Sequence, residues 1–309
     1  MPVITSGAHP RALWPGVRAW FGAKYNERPK VWSQFCDVVK SDKAYELDVA
    51  MTSFGLLEKK PEGQPLQYDS HSQEWERKHT HDVYAGGYIV TEEEMEDNLY
   101  EDRSFQRSQL LALSAAETKE YKGVNWLAEA FDTTGAYVGG DGVALCATTH
   151  PVQYSTDGTA YQANTLSAAA DFSEAALEDL YILARNNENS RGIRFPLNIK
   201  KLIGGTSLTF EFERVLHSAL RSGYGTNDIN ALKELGLLQD NAYVINPYLT
   251  TGDWFGKTDA PNGLTCYQRR ALKFSQDNDF DTSNAKAKCS ERYVFDFTDW
   301  RGIYGVQGA

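Results

Sequence analysis

The stretch from Tyr84 to Pro151 constrains this chain more than any other part of it. A short apolar strand, Tyr88-Ile89-Val90, runs into Thr91-Glu92-Glu93-Glu94. That is the spacing of a capping box, in which the Thr hydroxyl and the third-position Glu satisfy the first free amides of a helix. Helical patterning continues, with one irregularity near Asn98, as far as Gly135. A helix of about thirty residues is roughly 45 Å long, well above the usual globular length. Its stripe Leu110, Leu113, Ala116, Tyr121, Val124, Leu127, Ala128 and Phe131 predicts one face packed on a sheet. Gly139-Gly140-Asp141-Gly142 is then expected to turn the chain out of the helix, into a strand-like Val143-Ala144-Leu145-Cys146 and Thr148-Thr149-His150-Pro151.

Around this rod the chain reads as α+β. Residues 1–30 form an arm with one short helix, where Trp14, Val17, Trp20 and Phe21 crowd within two turns. A solitary helix so short is marginal in water and has to dock on its own chain or a neighbour. From Glu46 to Tyr84 alternating segments flank the turn formers Glu58-Lys59-Lys60-Pro61-Glu62-Gly63. This predicts a long hairpin with too few apolar groups for a private core, and therefore one stabilised by another subunit. Asp171-Phe172-Ser173-Glu174 reads as a second capping box opening a helix to about Asn186. Further on, 195–203 and 242–247 read as strands, 206–222 and 229–238 as helices, and 292–306 as strand-like, which sets a compact insertion at roughly 161–270.

Charge and cysteine usage narrow the function classes. A net charge of −11 with no extended basic patch argues against wrapping nucleic acid. No window approaches the apolar length of a membrane span. The four cysteines, Cys36, Cys146, Cys266 and Cys289, are far apart and read as buried thiols. The acidic run Glu92, Glu93, Glu94, Glu96 and Asp97 suits a first helical turn better than a metal site. His79 and His81 share one face of a strand, a metal half-site at most, with exposure the default. The glycine cluster matches neither a phosphate loop nor a dinucleotide fingerprint. No cofactor and no catalytic motif emerges, although a hydrolase using Asp141 and His150, or the 92–97 carboxylates, stays open as an alternative.

The order of motifs then carries a resemblance over nearly the whole chain. Lys43-Ala44-Tyr45-Glu46, the polar hairpin, Tyr88-Ile89-Val90-Thr91 leading to Met95-Glu96-Asp97, and Leu111-Ala112-Leu113-Ser114-Ala115 on the long helix come first. Gly139–Gly142, Thr148–Pro151, Pro247-Tyr248-Leu249-Thr250 with Asp253-Trp254-Phe255, and Asp299-Trp300-Arg301-Gly302-Ile303-Tyr304-Gly305 follow. The chain resembles the major capsid (major head) proteins of tailed bacteriophages, in the branch similar to the Mu-type head subunit.

That resemblance implies the HK-ninety-seven-type fold. It divides the chain into an N-terminal arm (1–30), an extended E-loop hairpin (47–84), a peripheral domain (31–46, 85–160 and 270–298) with a spine helix at about 100–133, and an axial domain (161–269 and 299–309). It implies self-assembly into hexamers and pentamers of an icosahedral shell around double-stranded DNA held by non-specific proximity. A portal protein is implied, a decoration protein in those relatives that carry one, and location in the virion after assembly in the host cytoplasm. An arm beginning almost at Met1 leads us to expect a separate scaffold protein and no large N-terminal cleavage. Covalent crosslinking through Lys59 or Lys60 is not expected. Intersubunit contacts are expected from Trp14, Trp20, Phe21, Lys59, Lys60, Arg77, Lys78, Glu92, Glu93, Glu94, Arg103 and Arg107. An encapsulin-like protein compartment of the same fold is the alternative within this family.

Overall fold

Two sheets and a long helix share one apolar interior, and a narrow ribbon projects from it. The computed structural model describes residues 21–22, 24–27, 29–91, 93–94, 100–152, 161–220, 229–234, 243–278 and 284–309, the side chains of 100–105, 234 and 278 excepted. A 3-10 turn, Val31–Gln34, leads to strand β1 (Asp37–Lys40). The ribbon is β2 (Tyr45–Met51) with β3 (Gln73–Thr80), followed by β4 (Asp82–Val90) and helix α1 (Tyr100–Ala128). After a short pair, β5 (His150–Pro151) and β6 (Tyr161–Gln162), come helix α2 (Glu174–Arg185), β7 (Ile199–Gly204), α3 (Thr209–His217), α4 (Ala231–Glu234), β8 (Tyr243–Ile245) and β9 (Trp254–Thr258). The long strands β10 (Leu264–Asn278) and β11 (Ala285–Phe297) and the final β12 (Ile303–Val306) complete the chain.

The long sheet has the order β1-β10-β11-β4, with β1 parallel to β10 and the other pairs antiparallel. Strand β11 alternates cleanly, with Ala285, Ala287, Cys289, Glu291, Tyr293 and Phe295 buried and Lys286 and Lys288 exposed. Such a period of two marks a sheet with one covered face. Helix α1 covers it. The helix has 29 residues and is roughly 44 Å long at 1.5 Å per residue. Gly123 sets the approach, since a Cβ there would lie 2.9 Å from Trp32 Cβ and 3.2 Å from the Phe295 ring. Trp126 Nε1 donates to Phe295 O at 2.6 Å and closes the contact.

The buried face of α1 keeps part of the expected stripe, with Val124 and Leu127 in the core, and departs from it elsewhere. Leu110 and Tyr121 are 65% and 50% exposed, whereas Ser108, Ala112, Lys119 and Trp126 are buried. Lys119 enters the interior because Glu291 of β11 meets its ammonium there, beside the rings of Trp32 and Tyr293. A buried charge is tolerated when it is paired in this way. The helix ends at Ala128, short of Gly135, and the chain then turns through positive φ at Gly135 and Gly142. Residues 143–146 form no strand. Ala144 makes a single bridge to Val138, and Leu145 and Cys146 are core residues.

The second sheet, β12-β9-β7-β8, is buried on both faces. Ile203, Phe255 and Ile303 point into the core shared with α1 and the long sheet. Their chain neighbours Leu202, Trp254 and Tyr304 point into a second core with Phe172, Leu177 and Leu180 of the α2 region and Phe212 and Leu216 of α3. Helix α2 is capped by Ser173, whose Oγ accepts from Ala176 N at 3.2 Å, and not by Asp171 as its sequence spacing suggested. Thr206–Leu208 is a 3-10 turn before α3, and Ser218 leaves the helix, so the element is shorter than 206–222.

Two expected boundaries move. Strand β10 starts at Leu264, so the limit at 269/270 falls inside one continuous strand. The hairpin pairing starts at Tyr45 and ends at Thr80, and 82–84 belong to β4 in the long sheet. Phe21 stacks on Phe274 at 4.6 Å and tops a small third core with Ala112 and Cys289. All four cysteines are free and buried, and burial raises each thiol pKa.

Candidate assembly surface

In the ribbon, strand β2 turns its charged residues toward the body and its apolar ones outward, while β3 adds Trp75 to the inward face and Gln73, Glu76, Lys78 and Thr80 to the outward one. Toward the body the ribbon presents charge: Asp48 faces Arg77 across the ladder, and Glu46 faces His79. Arg77 Nε donates to Asp296 Oδ2 at 3.0 Å and its Nη1 to Val138 O at 2.8 Å. The His79 ring is fully buried, with Nδ1 2.9 Å from Asp296 Oδ2 and Nε2 3.2 Å from Asp48 Oδ2, and it stacks on Tyr267. Asp48 also accepts from the Tyr267 hydroxyl and from Thr298 Oγ1. Burial pushes its carboxyl up, but the hydrogen bonds from Tyr267 and Thr298 and the adjacent His79 outweigh that and hold it below the ordinary aspartate value.

Toward solvent the same ribbon presents Tyr45, Leu47, Val49 and Met51, which are 46%, 49%, 36% and 64% exposed. Just past the last ladder pair Thr52 is still buried and Ser53 half-buried, and the loop then emerges into solvent. Residues 56–73 are exposed throughout, with Leu57 at 99% and Tyr68 at 90%. Pro61 and Gln64 close the expected turn at the tip, Gln64 N donating to Pro61 O at 3.3 Å. The hairpin's apolar residues Leu47, Val49, Met51, Phe54, Leu56, Leu57, Leu66 and Tyr68 are all exposed and build no core of their own, in line with the sequence reading. Exposed apolar groups in this number are uncommon on a surface that stays in water.

The residues singled out from sequence fall into three groups. Lys59, Lys60 and Glu93 are exposed; Lys78 is exposed and lies over the Tyr45 ring at 4.3 Å. Phe21, Arg77, Glu94 and Arg107 are engaged within the chain. Glu94 and Arg107 form a two-point ion pair at 2.9 and 3.0 Å, so these charges neutralise each other in place of a neighbour's. Thr91 does cap this segment, its Oγ1 accepting from Glu94 N at 3.4 Å. Trp14, Trp20, Glu92 and the side chain of Arg103 lie outside the described residues.

His79 and His81 are both buried, contrary to expectation, and they face different partners. His81 Nε2 lies 2.9 Å from Ser41 Oγ, and burial together with Arg292 lowers its pKa. Among the described residues no group of three or more His, Cys, Asp and Glu side chains is placed to hold a metal ion. No described helix is long and apolar enough to cross a membrane.

Asp141 and His150 do meet, but as a structural tie. His150 Nδ1 is 2.6 Å from Asp141 Oδ2, Nε2 is 3.2 Å from Asn164 Oδ1, and the ring lies flat on Trp300 at 4.2 Å. Asn164 in turn donates to Leu145 O and Ile303 O, and accepts from Ala147 N. Both ring nitrogens face acceptor oxygens and the side chains of Asp141 and His150 are 2% and 0% exposed, so neither is presented to a substrate. A general base has to be within reach of the proton it removes.

No family model and no curated protein matches the sequence. Solved structures do match the fold. The capsid of the native GTA particle aligns with a TM-score of 0.56 at 16% identity, covering 91% of each chain. The mature capsid of bacteriophage PhiM1 aligns with a TM-score of 0.53 at 11% identity, over 90% of this chain and 86% of that one. The virus-like particle from Pyrococcus furiosus aligns with a TM-score of 0.51 at 10% identity, over 94% of this chain and 98% of that one. At such identities the likeness is one of architecture alone: this chain shares the fold of these capsid and particle proteins, the HK-ninety-seven-type fold expected from the sequence.

Proposed function

We propose that this chain is the structural subunit of a phage-type head, assembling into hexamers and pentamers that close into an icosahedral shell around double-stranded DNA. The observation that carries this reading is the outward side of β2 and the loop it leads into: Asp48, Trp75, Arg77 and His79 seat the ribbon on its own body while Tyr45, Leu47, Val49, Met51 and the loop beyond face outward. A second copy of the chain covers that face, with the hairpin lying across the neighbouring subunit. Interfaces of obligate assemblies bury about 2,000–5,000 Å² or more, which a hairpin and its receiving surface can supply together. The net charge of −11 suits a container that holds DNA without gripping it. The division into arm, hairpin, peripheral and axial domains belongs to the same proposal, with β10 assigned whole to the peripheral sheet. So do a separate scaffold protein, a portal, a role that is structural and not catalytic, and residence in the virion.

Electron microscopy of the protein expressed alone and with its scaffold tests this reading. Closed shells are expected, and a persistent monomer under all conditions would sink it. Deleting Lys59 to Gln67 removes only exposed residues and should leave a folded monomer that assembles poorly. Normal shells from that deletion would end the intersubunit role of the hairpin. The likeness to the virus-like particle keeps one second reading, a protein-loaded compartment. Shells that carry protein cargo and neither portal nor DNA would favour it.

A further inference from the structure

The hairpin is held to its own subunit at a second place, far in sequence from the ribbon's seat. After α2 the chain makes a tight turn bridged by Glu188 and Arg194, with Asn189 N donating to Ile193 O at 2.8 Å. Asn189 Oδ1 accepts from Arg191 N at 2.9 Å and Ile193 N at 3.0 Å, which stiffens the turn from within. Phe195 N to Asn187 O at 2.7 Å ties it back to the end of α2. From this turn Arg191 reaches both arms of the hairpin. Its Nε donates to Ser53 O at 3.1 Å, and its Nη2 contacts Asp69 Oδ1 at 3.1 Å and Ser70 O. The buried Ser190 adds its Oγ, which accepts from Ser53 N at 2.8 Å. Asp69 completes the crossing, accepting from Gly55 N at 2.7 Å and Ser70 N at 2.8 Å.

The location of these contacts gives them a role. The β2–β3 ladder ends at Met51 and Gln73, and Thr52 N to Ser72 O at 3.0 Å is the next bond outward. Arg191 acts immediately beyond that point, on the half-buried Ser53 of one arm and the exposed Asp69 and Ser70 of the other. Past the ladder no strand pairing sets the direction of the loop, so these contacts set it. A planar guanidinium with donors in a fixed fork can hold two arms at one angle, where a single point charge cannot.

We propose that Arg191, with Ser190, forms a clamp that fixes the direction in which the hairpin leaves its own subunit, and that Arg191 is thereby a positioning residue for assembly. This rests on the reading of the hairpin as the part that covers a neighbour. The clamp lies within one chain and makes no intersubunit contact itself. It lets the compact second body aim a loop that is anchored mainly on the long sheet.

Arg191→Ala, Arg191→Lys and Ser190→Ala test it in the full chain, by hydrogen exchange of the unassembled protein and by size and rate of shell formation. Arg191→Ala is expected to leave the thermal midpoint unchanged and to speed exchange at Ser53, Gly55 and Ser70 about tenfold, the scale of one lost charge-assisted hydrogen bond. Its shells should form slowly and with irregular size, while Arg191→Lys falls between it and the parent. Unchanged exchange in Arg191→Ala and Ser190→Ala would overturn the clamp outright. Faster exchange with shells of normal size and rate would overturn its positioning role. Neither result touches the hairpin reading, which the 59–67 deletion tests separately.

Discussion

The ribbon β2–β3 and the second sheet β12-β9-β7-β8 both have strands with apolar residues, yet they place them in opposite ways. Along β9, Trp254 and Phe255 point to opposite faces and each enters a core, so no apolar group there is left over. Along β2, Leu47 and Val49 alternate with Asp48 as in an ordinary half-buried strand, but the charged residue is inside and the aliphatic ones are outside. The first arrangement is complete within one chain. The second is satisfied only when another surface arrives, because apolar area left in water forgoes about 25 cal/mol per Å² that burial would return. On the proposed function, a subunit has to fold before it assembles, and the two regions divide those tasks between them.

The sharpest way to break the comparison is Trp254→Ala. This side chain is fully buried, packs edge-on against Phe172 at 5.1 Å and donates from Nε1 to Ala170 O at 3.2 Å. Removing it is expected to cost about 3–5 kcal/mol in urea unfolding of the monomer. A loss below about 1 kcal/mol would mean that the second sheet does not hold both cores.

A middle-sized effect is expected at the polar seat of the ribbon. Asp48→Asn keeps the shape and removes the charge, which should cost about 1–2 kcal/mol, the scale of hydrogen bonds to a charged group. The loss should appear first as faster amide exchange in β2 and β3. The pH dependence has a definite sign. Because the folded carboxyl sits below its ordinary value, the unfolded chain takes up the proton first on acidification. The stabilisation is complete above the ordinary aspartate pKa of about 3.9 and fades as pH falls through that value toward the folded one. Ribbon protection should therefore decline on acidification in the parent and vary less in Asp48→Asn. Equal pH profiles for the two would refute this account of the seat.

The smallest effect on folding should come from Leu57→Ser. At 99% exposure the side chain has little to lose, and the monomer should stay within about 0.5 kcal/mol of the parent. Assembly should nonetheless weaken, seen as a higher protein concentration needed for shells. A variant that assembles as well as the parent would place the covering surface nearer to the ribbon base than to the loop.

Much of this was legible in the residues. Thr91 accepts from Glu94 N as its spacing predicts, a long helix occupies the centre of the stretch where its pattern runs, and the turn formers at 61–64 make the hairpin tip. What misled were features in which one residue type has two uses. Leu110 and Tyr121 looked like members of the buried stripe, and nothing near Lys119 announced its burial, which depends on Glu291, 172 residues away. Ser173 displaced Asp171 as the cap of α2 because either side chain can accept from a first-turn amide. His79 looked exposed because nothing near it in sequence announces Asp296 and Thr298. Arg191 gave no signal at all, being one arginine in a loop whose partners at Ser53 and Asp69 are more than a hundred residues away.

Local order in the sequence determined the elements of this protein: the capped rod, the hairpin and its turn, the alternating strands and the α+β class. Those depend on periods of two and 3.6 and on turn chemistry, which neighbouring residues set among themselves. Only the tertiary structure decided which side of each alternating strand faces inward, whether a charge is buried or solvated, and what aims the hairpin. The physical reason is that an alternating strand offers two faces of opposite character and does not itself prefer one. The choice falls to partners brought from elsewhere in the chain, here Asp296 and Tyr267 beneath the ribbon and Arg191 at its end.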